Sequence, residues 1–569
     1  MLIRACTLLL LTCVPALASD SSAPPPAVPF PFEVTCADVE AGTLALEPRV
    51  AEISLLAQLE RVNLIGVPLA DGVVIDLELT RIDVSRLAIG LRIDGTPAPE
   101  AFEGLELSVW TSVDGEGDEA MLSFSRFGCR GWIRHAGELQ HLIAFPDEHG
   151  NWYDAHATLI ADSVLSEQGF EASATCASDG LQPVGSASSA GSARSLAFVP
   201  PPSLYTARIA IETDYQLFGV FGSVPAELAY LTTMFAWVSR RYEEQIGVVF
   251  TIPYLQIYTT AADPWTTPDT PGGTCIDMIY EFQAAWQGNV PASADLGHFI
   301  SGVHLTCAAG FIGGLCNAQT NFSVMSAING ATPFPIVQGP SNWDFIWICH
   351  EIGHNFNAIH THAYCPPLDQ CSPAGYFGPC QTQQVCTNQG TIMSYCNACS
   401  GVMSNFTTYF HTQSAADMRD WVTTSGCLPL ACSDPLVYCT AKVNSLGCTP
   451  TATYAGHPTL SGLDDFVVRA SNVLNNSNGV YFFGSAPHAA PFNGGTLCAA
   501  APLTRTPVQN SLGNASPADC SGTYSYAWTH ARMVAWSSGS TLYSQFWSRD
   551  PMSSAGSGLT DAVSFTVCN

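Results

Sequence analysis

Residues 350–360 read HEIGHNFNAIH, which sets three histidines and one glutamate on a fixed spacing. Helical residues four apart share one face, so His350 and His354 can offer both imidazoles to a single metal ion. Glu351, next to the first of them, reaches the same ion's open side without binding it, the position of a group that moves protons. A third ligand requires the helix to end and the chain to double back. Asn357 stands at that turn, the residue that tolerates positive φ best after glycine, and His360 follows three residues later.

Those side chains need elements to hold them. Ser341-Asn-Trp-Asp344 reads as a capping box, and WDFIWICHEIGHNF continues at helical spacing with no breaker. Upstream, ARIAIE (207–212) reads as a buried strand. Leu228, Leu231, Phe235, Val238, Tyr242 and Ile246 then recur every three or four residues, a helix opened near Pro225 and stopped by Gly247. VVFTI and LQIY follow as strands. Strand, helix, strand predicts an α/β unit with a parallel element.

The chain has 569 residues, enough for about three domains. Its 48 acidic against 19 basic residues give a formal charge of −29, which argues against nucleic acid or anionic membrane as a partner. The N-terminus carries Arg4, an apolar run from Ala5 to Val14 and an Ala16-x-Ala18 site, the pattern of a signal peptide over 1–18. No later run approaches about 18 apolar residues, so no membrane insertion is expected. An exported chain predicts disulfides among the remaining 20 cysteines, of which three precede residue 200, eleven lie between Cys275 and Cys427, and six follow.

Pro-rich SAPPPAVPFPF is followed by alternating runs such as GVVIDLELTRIDV and LAIGLRIDG, with Val73, Ile75, Leu77 and Leu79 at period two. These predict a β-rich region to about Cys176, ended by a Gly/Ser/Ala linker (180–195) that exposes Arg194 to proteases. From about Ser433 the chain turns rich in Gly, Ser, Asn and Thr, with strand-like DFVVRA, GVYFFG and VSFTV, which predicts a β-sandwich or similar module.

HEIGHNFNAIH matches H-E-x-x-H-x-x-G-x-x-H apart from its glycine, and GTIMSYC downstream places Met393 where a Met-turn belongs. With ETDYQLFG (212–219), these motifs make residues 204–427 resemble a metzincin metallopeptidase catalytic domain, closest to the adamalysin (reprolysin) branch. Asn357 for glycine and Thr361 for the usual aspartate are the two departures. SFSRFGCRGWI (123–133) resembles part of the propeptides that precede such domains. YCTAKVNSLGCTP (438–450) resembles a module at the ends of secreted bacterial proteins.

The resemblance implies a twisted mixed sheet with an active-site helix, flanked by a β-rich propeptide (19–203) and a β-rich C-terminal module (428–569). It implies one catalytic Zn2+ on His350, His354 and His360, Glu351 as general base, and Met393 beneath the site. Protein or peptide substrates and a secreted enzyme follow; the sequence leaves a structural Ca2+ open and marks no residue for it. The rival reading is an exported binding or adhesion protein with an inert domain of this type, against which the intact Glu351 counts.

Other residues near the motif have quieter readings. His362 lies at the wrong offset for a ligand and is expected on the surface. Tyr395 stands where some metzincins have a tyrosine that contacts zinc or the oxyanion, but is expected as a packed aromatic with a local hydrogen bond. Cys349 could bind metal if free, but is expected as a buried thiol or half of a disulfide. Cysteine parity is odd in both Cys36/Cys129/Cys176 and the eleven that follow, so either one bridge joins the two blocks or an N-terminal thiol is left to occupy the metal. For the second case Cys176, nearest the linker, is the candidate.

Overall fold

The computed structural model describes residues 24–38, 42–112, 119–144, 157–161, 175–178, 181, 204–303, 305, 307–326, 341–400, 405–431, 434–460, 464–553 and 555–568. The signal peptide reading (1–18) and the linker with Arg194 lie outside these residues, as do the side chains of 341–343 in the capping box.

Ten N-terminal strands form one sheet, ordered 27–29, 61–68, 74–82, 108–112, 119–124, 130–135, 138–144, 157–161, 43–48 and 32–38. Its two outer strands, Ala27–Pro29 and Phe32–Asp38, are consecutive in sequence, so the sheet has to curl. Successive strand side chains point to opposite faces, and here each face has its own core. Trp110, Leu122, Phe124 and Ile133 fill the core within the sheet. Their neighbours Val109, Met121 and Trp132 face the other way, into the core of the next unit.

That next unit is built on an eight-stranded sheet, ordered 175–176, 307–310, 322–325, 296–300, 205–213, 248–257, 91–93 and 96–97. Tyr205–Thr213 runs parallel to Val248–Ile257 and to Leu296–Ile300, as the strand–helix–strand pattern requires. VVFTI and LQIY are one continuous strand, Val248–Ile257, and a short helix, Tyr215–Phe221, precedes the expected one. The long helix Val224–Gln245 is capped by Ser223, whose hydroxyl accepts from Ala226 N at 3.4 Å, and Gly247 at φ +78° ends it. It packs with helix Ser341–Asn355 in the larger core, while helix Cys275–Trp286 covers the opposite face through Phe282 and Ile279.

Leu91–Ile93 and Thr96–Pro97, which read as part of the N-terminal β region, cross over and extend this second sheet. Three-residue strands carry no periodicity that could assign them to either sheet. Cys129, read within a strand, lies just before the strand Arg130–His135.

At the C-terminus a six-stranded sheet and a three-stranded sheet (451–455, 467–473, 522–527) close over a shared core that includes Tyr481, Tyr524, Phe546 and Val563. Disulfides Cys439–Cys498 and Cys448–Cys520 fasten it. Among the described residues no helix is long and apolar enough to cross a membrane.

Candidate metal centre

Helix Ser341–Asn355 carries His350, Glu351 and His354, and it is fixed at several points. The Tyr230 hydroxyl donates to Asp344 at 2.7 Å, and the Tyr242 hydroxyl donates to the Cys349 carbonyl at 2.9 Å. At the far end Asn355 Nδ2 donates to the carbonyls of Phe311 (3.0 Å) and Phe322 (2.9 Å), which ties the helix to the sheet's outer strands. Every one of these groups is buried, so each bond replaces one that water would otherwise make.

The chain then reverses. Asn357 sits at φ +68°, while its N–H donates to the His354 carbonyl (2.8 Å) and the Ala358 N–H to the Gly353 carbonyl (3.0 Å). This left-handed turn returns His360 to the helix, with its Nε2 3.2 Å from that of His354. The three rings have centroids 4.7 to 5.2 Å apart.

Orientation of the rings is set from behind. His350 Nδ1 lies 2.6 Å from the Ile392 carbonyl oxygen, and His354 Nδ1 lies 2.8 Å from that of Ala358. A carbonyl only accepts, so each Nδ1 carries the proton and each Nε2 keeps its lone pair. One ligand atom from each of His350, His354, His360 and Cys176 falls within 4.8 Å of all the others, and all four residues are buried. Imidazole nitrogens with a sulfur suit zinc far better than an oxygen-seeking ion. On donor chemistry, the residues present fit the metal.

Met393 lies under the helix. A Cβ added at Gly353 would stand 2.9 Å from its Sδ, so the two segments meet closely there. The Met393 carbonyl also accepts from Thr361 N at 3.0 Å, which links the Met-turn to the residue after His360.

Cys176 reaches the cluster from the N-terminal part of the chain. Thr175–Cys176 pairs in parallel with Cys307–Ala308 on the outer strand of the second sheet. Cys176 Sγ lies 3.3 Å from His354 Nε2 and 3.7 Å from Glu351 Oε2. The Ser178 hydroxyl donates to the same Glu351 oxygen at 3.2 Å and accepts from Gly310 N at 2.8 Å.

The two other N-terminal cysteines are elsewhere. Cys36 is exposed, and Cys129 is buried in surroundings that push its thiol up to about 11. All three remain thiols, so the alternative of a bridge between the two cysteine blocks is not formed. Ten of the eleven later cysteines pair as 275–307, 316–427, 365–380, 371–396 and 386–399. The eleventh, Cys349, is a buried thiol whose pKa burial raises.

Two expectations fail. His362 is buried rather than exposed and stacks on His360 with centroids 5.3 Å apart and planes at 16°. Tyr395 packs 4.7 Å from the His360 ring, but its hydroxyl donates to the Cys176 carbonyl at 3.0 Å rather than to a local group. Both are placed by the 365–399 loop, which three disulfides fold over the site. A sequence does not state disulfide connectivity, so it gives no signal for either contact.

Residues 203–456 match the family model described as Metallo-peptidase family M12, of reprolysin type. These residues belong to metallopeptidase family M12. The M12 segment is accordingly that of a zinc metallopeptidase, as the resemblance implied. Among solved structures, the chain is similar to metalloproteinase-II from Bacteroides fragilis at 11% identity, covering 63% of this chain and 90% of that one, with a TM-score of 0.33. It is also similar to OgpA from Akkermansia muciniphila at 11% identity, covering 65% and 95%, with a TM-score of 0.21. No curated protein matches the chain.

Proposed function

We propose that the protein is a secreted zinc endopeptidase made as a proenzyme. In this reading residues 1–18 are a signal peptide, 19–203 a propeptide, 204–427 the catalytic domain and 428–569 an accessory module. The observation that carries it is the convergence of three histidine nitrogens beside a buried Glu351, within a segment of family M12. Secretion draws support from the disulfides, which persist in oxidising compartments.

His350, His354 and His360 would hold the zinc. The chemistry the ion supplies when bound is Lewis acidity, which acidifies water towards a pKa of about 7 and polarises a peptide carbonyl. Glu351 accepts the proton of the attacking water on a carboxylate oxygen and delivers it to the departing amine as the C–N bond breaks. The carbonyls of Ile392 and Ala358 keep two of the ligand rings in the tautomer that leaves Nε2 available. No covalent bond to the protein forms.

Latency rests with Cys176. Its thiol stands against His354 and Glu351, so it fills the space that substrate and water need. Ser178 holds the proton-moving oxygen of Glu351 at the same time, and Tyr395 holds the Cys176 main chain. Sulfur in this place makes the uncut chain silent.

Glu351→Gln separates metal holding from proton transfer. We expect the activated variant to retain one zinc per chain and to lose nearly all casein hydrolysis, while a chelator abolishes hydrolysis by the parent enzyme. Turnover near the parent level in Glu351→Gln would reject the mechanism.

A further inference from the structure

We infer that the N-terminal sheet is a permanent subunit of the enzyme rather than a piece that activation discards. The inference rests on the proenzyme reading above and changes which part of the propeptide has to leave. Cleavage between the sheet and the M12 segment would leave residues 24–161 bound, and only the short stretch around Cys176 would act as a removable plug.

The contact between the two units has the character of a domain interior. Trp132 stands 5.0 Å from Trp237, edge to face, and 5.0 Å from Phe345, which lies on the histidine helix itself. Val109 and Met121 join them in the same core. Polar groups within this contact are matched across it. Arg241 Nη2 pairs with Glu119 Oε1 at 2.6 Å, with the arginine side chain 1% exposed, and the Thr408 hydroxyl donates to the other Glu119 oxygen at 2.8 Å. Arg130 lies over the Tyr230 ring at 5.0 Å, and Tyr230 is the residue that anchors Asp344 of the histidine helix. Stripping the N-terminal sheet away would expose this apolar surface and take from Arg241 its closest carboxylate.

Main-chain pairing adds to this at the far edge of the sheet. Leu91–Ile93 lies parallel to Leu255–Ile257, Gly90 N donates to the Ile252 carbonyl at 2.8 Å, and Leu255 N donates to the Gly90 carbonyl at 3.0 Å. The approach is so close that a Cβ at Gly90 would lie 2.2 Å from the Pro253 carbonyl oxygen. Among the described residues the plug has a smaller hold. Two residues pair with the outer strand, supplemented by Cys176 against His354 and Glu351, by Tyr395 on the Cys176 carbonyl, by Ser178 and by the buried Leu181.

This division has a consequence for activation. Residues 162–174 are the only covalent tie between the plug and the retained sheet once the chain is cut after residue 181. A tether that short keeps its segment at about millimolar local concentration. One cut therefore leaves the thiol able to return, and full activity needs a second cut that excises the plug.

The test uses the full chain with the recognition sequence of a specific protease placed at 186–191, alone or together with a second at 165–170. After cleavage, the products are run on a native sizing column and assayed on casein. The inference expects the two large fragments to co-elute at the size of the intact chain in both cases and to part only in denaturant. It also expects the doubly cut protein to outpace the singly cut one by about tenfold or more. An N-terminal fragment that elutes alone, leaving an active M12 fragment, overturns the inference, as does full turnover after one cut. An uncut chain as active as the doubly cut one would count against the proenzyme reading instead, and co-elution would still decide the inference.

Discussion

Asn357 is the residue that turns the chain so that His360 meets His354. At φ +68° it does what glycine does in other chains of the H-E-x-x-H-x-x-G-x-x-H pattern, and asparagine is the least strained substitute. Asn357→Gly should leave zinc affinity within about twofold. Asn357→Val forces a β-branched side chain into the left-handed region at a cost of about 1–2 kcal/mol, so zinc should bind about tenfold more weakly. Competition titration with a chromogenic chelator measures both, and equal affinities would mean that the turn does not carry His360. The meeting of His350, His354 and His360 beside Glu351, and this turn, were legible because eleven consecutive residues contain them. His362 and Tyr395 were not, since their surroundings come from a loop shaped by disulfide pairing.

At the scale of elements, the histidine helix is held by strands that precede it by some 200 residues. Its periodicity announced the helix, and the apolar stripe of 224–245 announced its neighbour. Nothing local announced that strand Arg130–His135 would press Trp132 against Phe345, because alternation says only that a strand has two faces, not what covers each. The Glu119–Arg241 pair tests how much this contact matters. Removal of one partner of a buried ion pair typically costs about 3–5 kcal/mol, whereas replacing both with apolar residues is close to neutral. Glu119→Ala should therefore lower the thermal midpoint of the M12 segment clearly, and Glu119→Leu with Arg241→Met should recover most of the loss. Differential scanning calorimetry reads both, and a Glu119→Ala midpoint equal to the parent's would show that the pair is not supporting the helix.

For the molecule as a whole, Cys176 of the N-terminal region meets the histidines of a region of different architecture. The sequence showed three regions through shifts of composition, and odd cysteine counts pointed to either a bridge or a thiol. Which of these holds is a matter of three-dimensional distance, and Cys176 Sγ lies 3.3 Å from His354 Nε2 while Cys36 is exposed and Cys129 buried in another core. The assay that bears most directly on the account is casein hydrolysis by the uncut Cys176→Ala chain, with zinc content measured on the same sample. Uncut parent, Cys36→Ala and Cys129→Ala should be silent, and uncut Cys176→Ala should cleave casein in a chelator-sensitive way. A Cys176→Ala chain that is folded, holds one zinc and still cleaves nothing would contradict it.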